Sequence, residues 1–84
     1  MIITNINLKK IDSVTNIRAV VSIVLDNSFA VTDIKVIENK KGLFVAMPSK
    51  RDNDGTFHDI AHPVNSDFRN YIQNAILEEY NKID

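Results

Sequence analysis

Two pairs of adjacent cations, Lys40-Lys41 and Lys50-Arg51, flank a wholly apolar run, Leu43-Phe44-Val45-Ala46-Met47. An apolar strand stopped by Pro48 and followed at once by Lys50-Arg51 presents positive charge rigidly, which is what a phosphate-binding surface needs. An extended chain sends adjacent side chains to opposite sides, so one of the pair can reach a phosphate while the other pairs with Asp52 or Asp59. The plain alternative is a solvated surface pair, and it applies still more to Lys40-Lys41 beside Gly42. Further on, His58-Asp59-Ile60-Ala61-His62 has the outline of a zinc-protease motif, which works by placing both histidines on one helical face. Pro63 directly after His62 disfavours helical angles there, and on a strand the two rings stand about 13 Å apart. A shared metal is therefore not expected. One histidine is expected on the surface and the other hydrogen-bonded near the strand–helix corner.

Other reaction chemistry is poorly provided for. There is no cysteine, and Ser22, Ser28, Ser49 and Ser66 stand in no nucleophile elbow. Gly42 and Gly55 are the only glycines, too few for a phosphate-cradling loop. Asp52, Asp54 and Asp59 lie in and beside a polar loop, where solvation is the simplest account. No catalytic residues, cofactor, metal or small-molecule substrate are expected.

Arg69, early in a predicted helix, opposes the helix dipole unless Asp67 or a bound phosphate offsets it. Tyr71 and Tyr80 offer faces on which bases stack, or on which core or interface side chains pack.

The elements that must position these residues follow from periodicity. Ile2, Ile6 and Leu8 alternate with polar residues in a first strand, Ile2 to Ile11. Asp12 to Asn16 is a turn-rich link. Ile17 to Leu25 places Ile17, Ala19, Val21, Ile23 and Leu25 on one face, while Val20 and Val24 mark the other as partly covered. Asp26-Asn27-Ser28 is a tight turn of the kind that needs positive φ. Phe29 to Ile37 and Leu43 to Met47 are the third and fourth strands, joined by the polar loop Glu38 to Gly42. Pro48 ends the ladder, Ser49 to Asp54 reads as a charged loop, and about Thr56 to Ala61 as a fifth strand. Asn65 or Ser66 caps a final helix with Phe68, Ile72, Ala75, Ile76 and Ile83 on one stripe. The fold class is α+β: an antiparallel meander of four or five strands with one C-terminal helix packed on a face, a single domain over residues 1–84. If the last two strands form a hairpin, the helix start and Arg69 come near Lys40 and Lys41, with Lys50 and Arg51 roughly 17–20 Å away at strand rise.

The totals narrow the partners. Ten Lys and Arg against eleven Asp and Glu give a formal net charge of −1. A chain that mainly grips nucleic acid is usually basic overall, so such a role must rest on local placement of charge. The absence of cysteine suits a reducing cytoplasm. The N-terminal segment lacks the basic and long apolar regions of a signal peptide, and no apolar run approaches the roughly 18 residues of a membrane span. A cytoplasmic protein is expected.

Nearly the whole chain, most densely Gly42 to Ser66, resembles the SpoVG family of stage V sporulation and septation proteins. The similarity rests on Leu43 to Arg51, Gly55, Phe57, Asp59 to Pro63 and Asn65-Ser66, with Leu25-Asp26-Asn27 and Asp33-Ile34-x-Val36-Ile37 in support. It implies a small homodimer that binds DNA, and RNA in some members, and acts in septation, sporulation and gene regulation. The family's binding determinants map onto Lys50, Arg51, Ser66, Asp67, Phe68, Arg69 and Asn70. The loop Asp52-Asn53-Asp54 is more acidic than the Thr-Pro-Asp stretch expected of many members, which lowers the positive potential beside Arg51.

The expectation is thus a dimeric, non-enzymatic nucleic-acid-binding regulator. Lys50, Arg51 and Arg69 would meet phosphates, and Lys40 and Lys41 would assist at the rim. With four to six phosphates neutralised per dimer, affinity would fall with salt at a log–log slope of roughly −4 to −5. The alternative is a protein–protein adaptor of the division or sporulation machinery, using the apolar faces, with incidental nucleic-acid binding.

Overall fold

Four strands pair in sequence order in an antiparallel meander, as alternation along the chain requires: β1 (Ile3–Lys10), β2 (Ile17–Leu25), β3 (Phe29–Asn39) and β4 (Gly42–Ala46). The computed structural model describes residues 1–12 and 14–83. Ser13, in the link expected between the first two strands, lies outside the described residues. A short two-stranded ribbon follows, β5 (Ser49–Arg51) with β6 (Phe57–Asp59), and then one helix, α1 (Ser66–Lys82).

The core lies between the helix and one face of the sheet. Ala19, Val21, Ile23 and Leu25 of β2 and Ile34 and Val36 of β3 are buried there, with Val45, Met47, Ile72 and Ile76. Strand β2 is central, so its other face is half-buried as well. Ile72 and Ile76, one turn apart, are the buried residues of α1; Phe68, Leu77 and Tyr80 flank them. Phe68, Ile72 and Ile76 are the stripe expected from spacing, whereas Ala75 and Ile83, expected on it, are only half-buried.

Irregularities shift the phase of the pattern. The β1–β2 register slips between Ile3 and Asn5, so that Ile3 pairs with Leu25 and packs on the core while Ile2 is exposed. The simple alternation that put Ile2 on the buried face fails at this bulge. A second slip, between Val21 and Ile23 of β2, leaves Asp33 of β3 in the left-handed region at φ 62°. Aspartate tolerates that conformation better than the β-branched residues around it. Asp26 (φ 51°) and Asn27 (φ 52°) form the tight β2–β3 turn expected, closed by the Ser28 amide donating to the Leu25 carbonyl at 2.9 Å.

The helix runs alongside β1. The Ile3 amide donates to the Tyr71 hydroxyl at 2.9 Å near the helix start. At the other end Lys10 Nζ donates to the Ile83 carbonyl and lies 4.3 Å from the Tyr80 ring centroid. A cation there also suits the negative end of the helix dipole. The start of α1 therefore sits with the start of β1 and the end of β4, and its end with Lys10 and the β3–β4 turn. No helix among the described residues is long and apolar enough to cross a membrane.

Candidate nucleic-acid interface

Pro48 is a corner in the strand path. Lacking an N–H it cannot continue the β4 ladder, but its carbonyl accepts from the Ile60 amide at 2.7 Å, and this bond roots the ribbon. Beyond it Ser49 pairs with Asp59, Lys50 with His58, and Arg51 with Phe57. All six are exposed. The segment expected as a charged loop is thus half of a ribbon, and the fifth strand pairs with it instead of with β4. The pattern could not reveal this, because a three-residue strand exposed on both sides has no buried face to mark its period.

The ribbon turn is held locally. The Asp52 amide donates to the Thr56 carbonyl (2.8 Å) and the Gly55 amide to the Asp52 carbonyl (3.0 Å). Gly55 takes φ 90°, a conformation side chains rarely adopt. Asp54 Oδ1 accepts from the Thr56 hydroxyl at 2.7 Å and from the Thr56 amide at 3.1 Å. Those two bonds hold the Asp54 carboxyl below its ordinary value of 3.8.

Alternation divides the ribbon into two faces. Lys50 and His58 share one; Ser49, Arg51, Phe57 and Asp59 share the other. His58 Nε2 lies 2.8 Å from Asp52 Oδ2 and 3.3 Å from the Thr56 hydroxyl. Asp52 is thereby engaged by histidine. Among the described residues neither Lys50 nor Arg51 has a carboxylate within ion-pair distance, unlike Arg18 on Glu38 (2.9 Å) and Lys82 on Glu78 (3.6 Å). The expected pairing of one of these cations with Asp52 or Asp59 does not occur. His62 Nδ1 lies 3.0 Å from the Pro63 carbonyl at the strand–helix corner, as expected, and both histidines are exposed.

The residues of the helix start divide by burial. Asn65 is the cap, its Oδ1 accepting from the Phe68 amide at 2.7 Å. Ser66, Asp67 and Asn70 are exposed and Arg69 is half-buried. Phe68 turns inward and packs half-buried against the core, its ring 5.6 Å from that of Tyr71. The Tyr71 hydroxyl accepts from the Ile3 amide while the residue stays 39% exposed, and Lys10 lies over the Tyr80 ring. The exposed aromatic beside a cation is instead Phe57, 68% exposed, with the Arg51 guanidinium carbon 6.0 Å from its ring centroid. Its signal was available: Gly55 and Asp59, two positions either side, give Phe57 no apolar neighbour on its strand face.

Lys40 and Lys41 form the tip of the β3–β4 turn, where Asn39 pairs with Gly42 and the Lys41 amide donates to Asn39 Oδ1 at 2.9 Å. That tip is at the helix C-terminal end. The expected proximity of Arg69 to Lys40-Lys41 is overturned, because it assumed that the last strand returns along β4. Arg69 and the Lys50-Arg51 ribbon share one end of the sheet, and Lys40-Lys41 stand at the other, about 20 Å away at strand rise. Two further cations went unnoticed in sequence: the register sets Lys9 and Lys35 in one row across Val20, on the sheet face away from the helix.

A four-stranded meander covered by one helix, with an exposed two-stranded ribbon at the sheet end that carries Lys50 and Arg51, defines a small α+β protein. Comparison with known proteins agrees with the likeness of residues 42–66. The SpoVG family model matches residues 1–82, and the chain belongs to the SpoVG family. It is 55% identical over 82 residues to a relative from Caldanaerobacter subterraneus, covering 98% of this chain and 90% of that protein. It is 56% identical over 80 residues to one from Agathobacter rectalis (95% and 92%) and 52% identical over 84 residues to one from Staphylococcus aureus (100% and 84%). All three carry the provisional name of septation protein SpoVG.

Proposed function

We propose that this member of the septation-related family is a homodimeric regulator that binds nucleic acid in the cytoplasm and catalyses no reaction. The observation that carries the reading is the exposed ribbon bearing Lys50 and Arg51, both without ion-pair partners among the described residues. Arg69 stands at the same end and adds a third cation. Phosphate contacts from the ribbon position the ligand, and exposed Ser66 and Asn70 supply hydrogen-bonding groups for modest base preference. Lys40 and Lys41 are too far away to share that surface within one protomer.

Dimerisation is supported by apolar exposure. Met1, Phe29 and Val64 are exposed on the rim of a groove of about 530 Å³ between the sheet end and the helix start, floored by Leu25, Met47 and Phe68. Apolar patches of this kind mark contact surfaces, and a chain of 84 residues has little core of its own. The same groove favours the second reading, an adaptor that docks a protein partner.

Titration of labelled DNA and RNA with the wild type and a Lys50→Ala/Arg51→Ala variant, both verified as dimers by sedimentation, separates the two. Salt-sensitive binding lost in the variant supports the regulator. Equal binding by both proteins, or none by either, leaves the adaptor.

A further inference from the structure

The two faces of the ribbon differ in chemistry, and the difference bears on which nucleic acid fits. Lys50 and His58 make one face a charge surface. The other carries an aromatic ring, a guanidinium, a hydroxyl and a carboxylate: Phe57, Arg51, Ser49 and Asp59. A carboxylate repels phosphate, but it accepts hydrogen bonds from the exocyclic amino groups of bases. Arg51 stands directly across from Phe57, so a flat ligand laid on the ring also meets the guanidinium.

Phe57 would ordinarily be buried. Leaving such a side chain in water forgoes a substantial apolar gain, yet the ribbon is exposed on both sides and no strand or helix packs over it. The other rings that could stack are less open: Phe68 and Tyr80 pack against the core, and Tyr71 is 39% exposed. Phe29 lines the groove, and Phe44 is the less exposed at 40%.

We infer that the Arg51–Phe57 face is a stacking platform for unpaired bases, so that the ligand of this surface is single-stranded nucleic acid. The inference rests on the nucleic-acid reading above and adds the ligand's class and a contact residue. A duplex keeps its base faces inside the helix, where Phe57 cannot reach them, whereas a single strand can lay a base on the ring. Its backbone then turns toward the cationic edge formed by Lys50.

The test is fluorescence anisotropy with a 12-nucleotide oligo-U RNA, an oligo-dT DNA and a 12-base-pair duplex, at one salt concentration. Phe57→Leu keeps the apolar volume and removes the flat π face; Phe57→Trp keeps it. Phe57→Leu is expected to weaken both single strands by roughly 5- to 150-fold, the range seen for loss of a stacked base, and duplex binding by less than about twofold on the same principle. Phe57→Trp is expected to bind single strands at least as well as the wild type. Since the chain has no tryptophan of its own, the emission of that variant reports the ring directly, and single strands but not duplex should quench it.

Wild-type affinity of Phe57→Leu for single strands, or equal loss on the duplex, overturns the platform. Sedimentation of Phe57→Leu as a monomer overturns it in favour of a contact between copies. Each leaves the regulator reading standing, provided that Lys50→Ala/Arg51→Ala abolishes binding. A wild type that binds none of the three probes removes both.

Discussion

Replacing Lys50 and Arg51 by alanine should change the salt dependence of nucleic-acid binding by an amount that the structure sets. Three cations stand at the ribbon end of each protomer, Lys50, Arg51 and Arg69, and six in a two-fold dimer. Each neutralised phosphate contributes about −0.9 to the log–log slope for duplex DNA, so the wild-type dimer should show about −5. The double variant retains only the two Arg69 side chains and should show about −2. Raising salt fourfold should then weaken the wild type about a thousandfold and the variant about fifteenfold. The assay is anisotropy on one duplex at four or more salt concentrations, with dimer state checked at each end of the range. Lys40→Ala/Lys41→Ala is the internal control, because those lysines stand at the far end of the sheet. Its slope should match the wild type. Equal slopes for wild type and the ribbon variant would refute the placement of phosphates on the ribbon, and a flattened slope for the Lys40-Lys41 variant would move the contact to the other end.

Three further outcomes follow from local geometry. Asn65→Ala removes the acceptor of the Phe68 amide and should cost about 1 kcal/mol in urea unfolding, with Asn65→Asp largely retaining the cap. The Asp54 carboxyl is held below 3.8 by Thr56, so its contribution to the ribbon turn is present above that value and lost as pH falls through the lower folded value. Protection of the Thr56 amide, its exchange rate relative to the intrinsic rate at the same pH, should therefore fall only in acid, and Asp54→Asn should remove that step; an unchanged protection profile in that variant would reject the assignment. His58→Arg sets a permanent cation opposite Lys50 and beside Asp52, so it should steepen the salt slope by at most about 0.9 per protomer, measured on the same duplex.

The four-strand sheet and the helix were legible because each buries one face. Ala19, Val21, Ile23 and Leu25 recur every second residue, and Ile72 and Ile76 one turn apart, so sequence period and burial coincide. The bulge at Thr4 was hidden, since a single inserted residue leaves composition unchanged and merely exchanges Ile2 for Ile3 on the core. The ribbon was hidden for a different reason: neither of its faces is buried, so Ser49, Lys50 and Arg51 carry no hydrophobic phase. The candidate site depends on it: pairing Thr56 to Ala61 with β4 in place of β5 puts the helix start, and Arg69 with it, at the wrong end. The likeness to SpoVG proteins had already pointed to the basic pair and the helix start, and the fold sets both at one end.

A net charge of −1 does not conflict with a phosphate-binding surface, because the fold sorts its cations by task. Lys10 closes the helix C-terminus, while Arg18 and Lys82 are taken by glutamates. The acidic turn beside Arg51, which on sequence grounds weakens the ribbon, is largely spent internally. Asp52 faces His58, and Asp54 accepts both Thr56 bonds. Hydrogen bonding leaves the negative charge in place, so the ribbon should bind phosphate more weakly than a ribbon without these aspartates. On the proposed reading that weakness gives Phe57 its role, since a surface with few cations per protomer gains from a contact that salt does not screen. Base stacking is such a contact. It follows that high salt should erase duplex binding first and leave a residual single-strand affinity that depends on the ring at position 57. Loss of both ligands at the same salt concentration would mean that charge alone holds them.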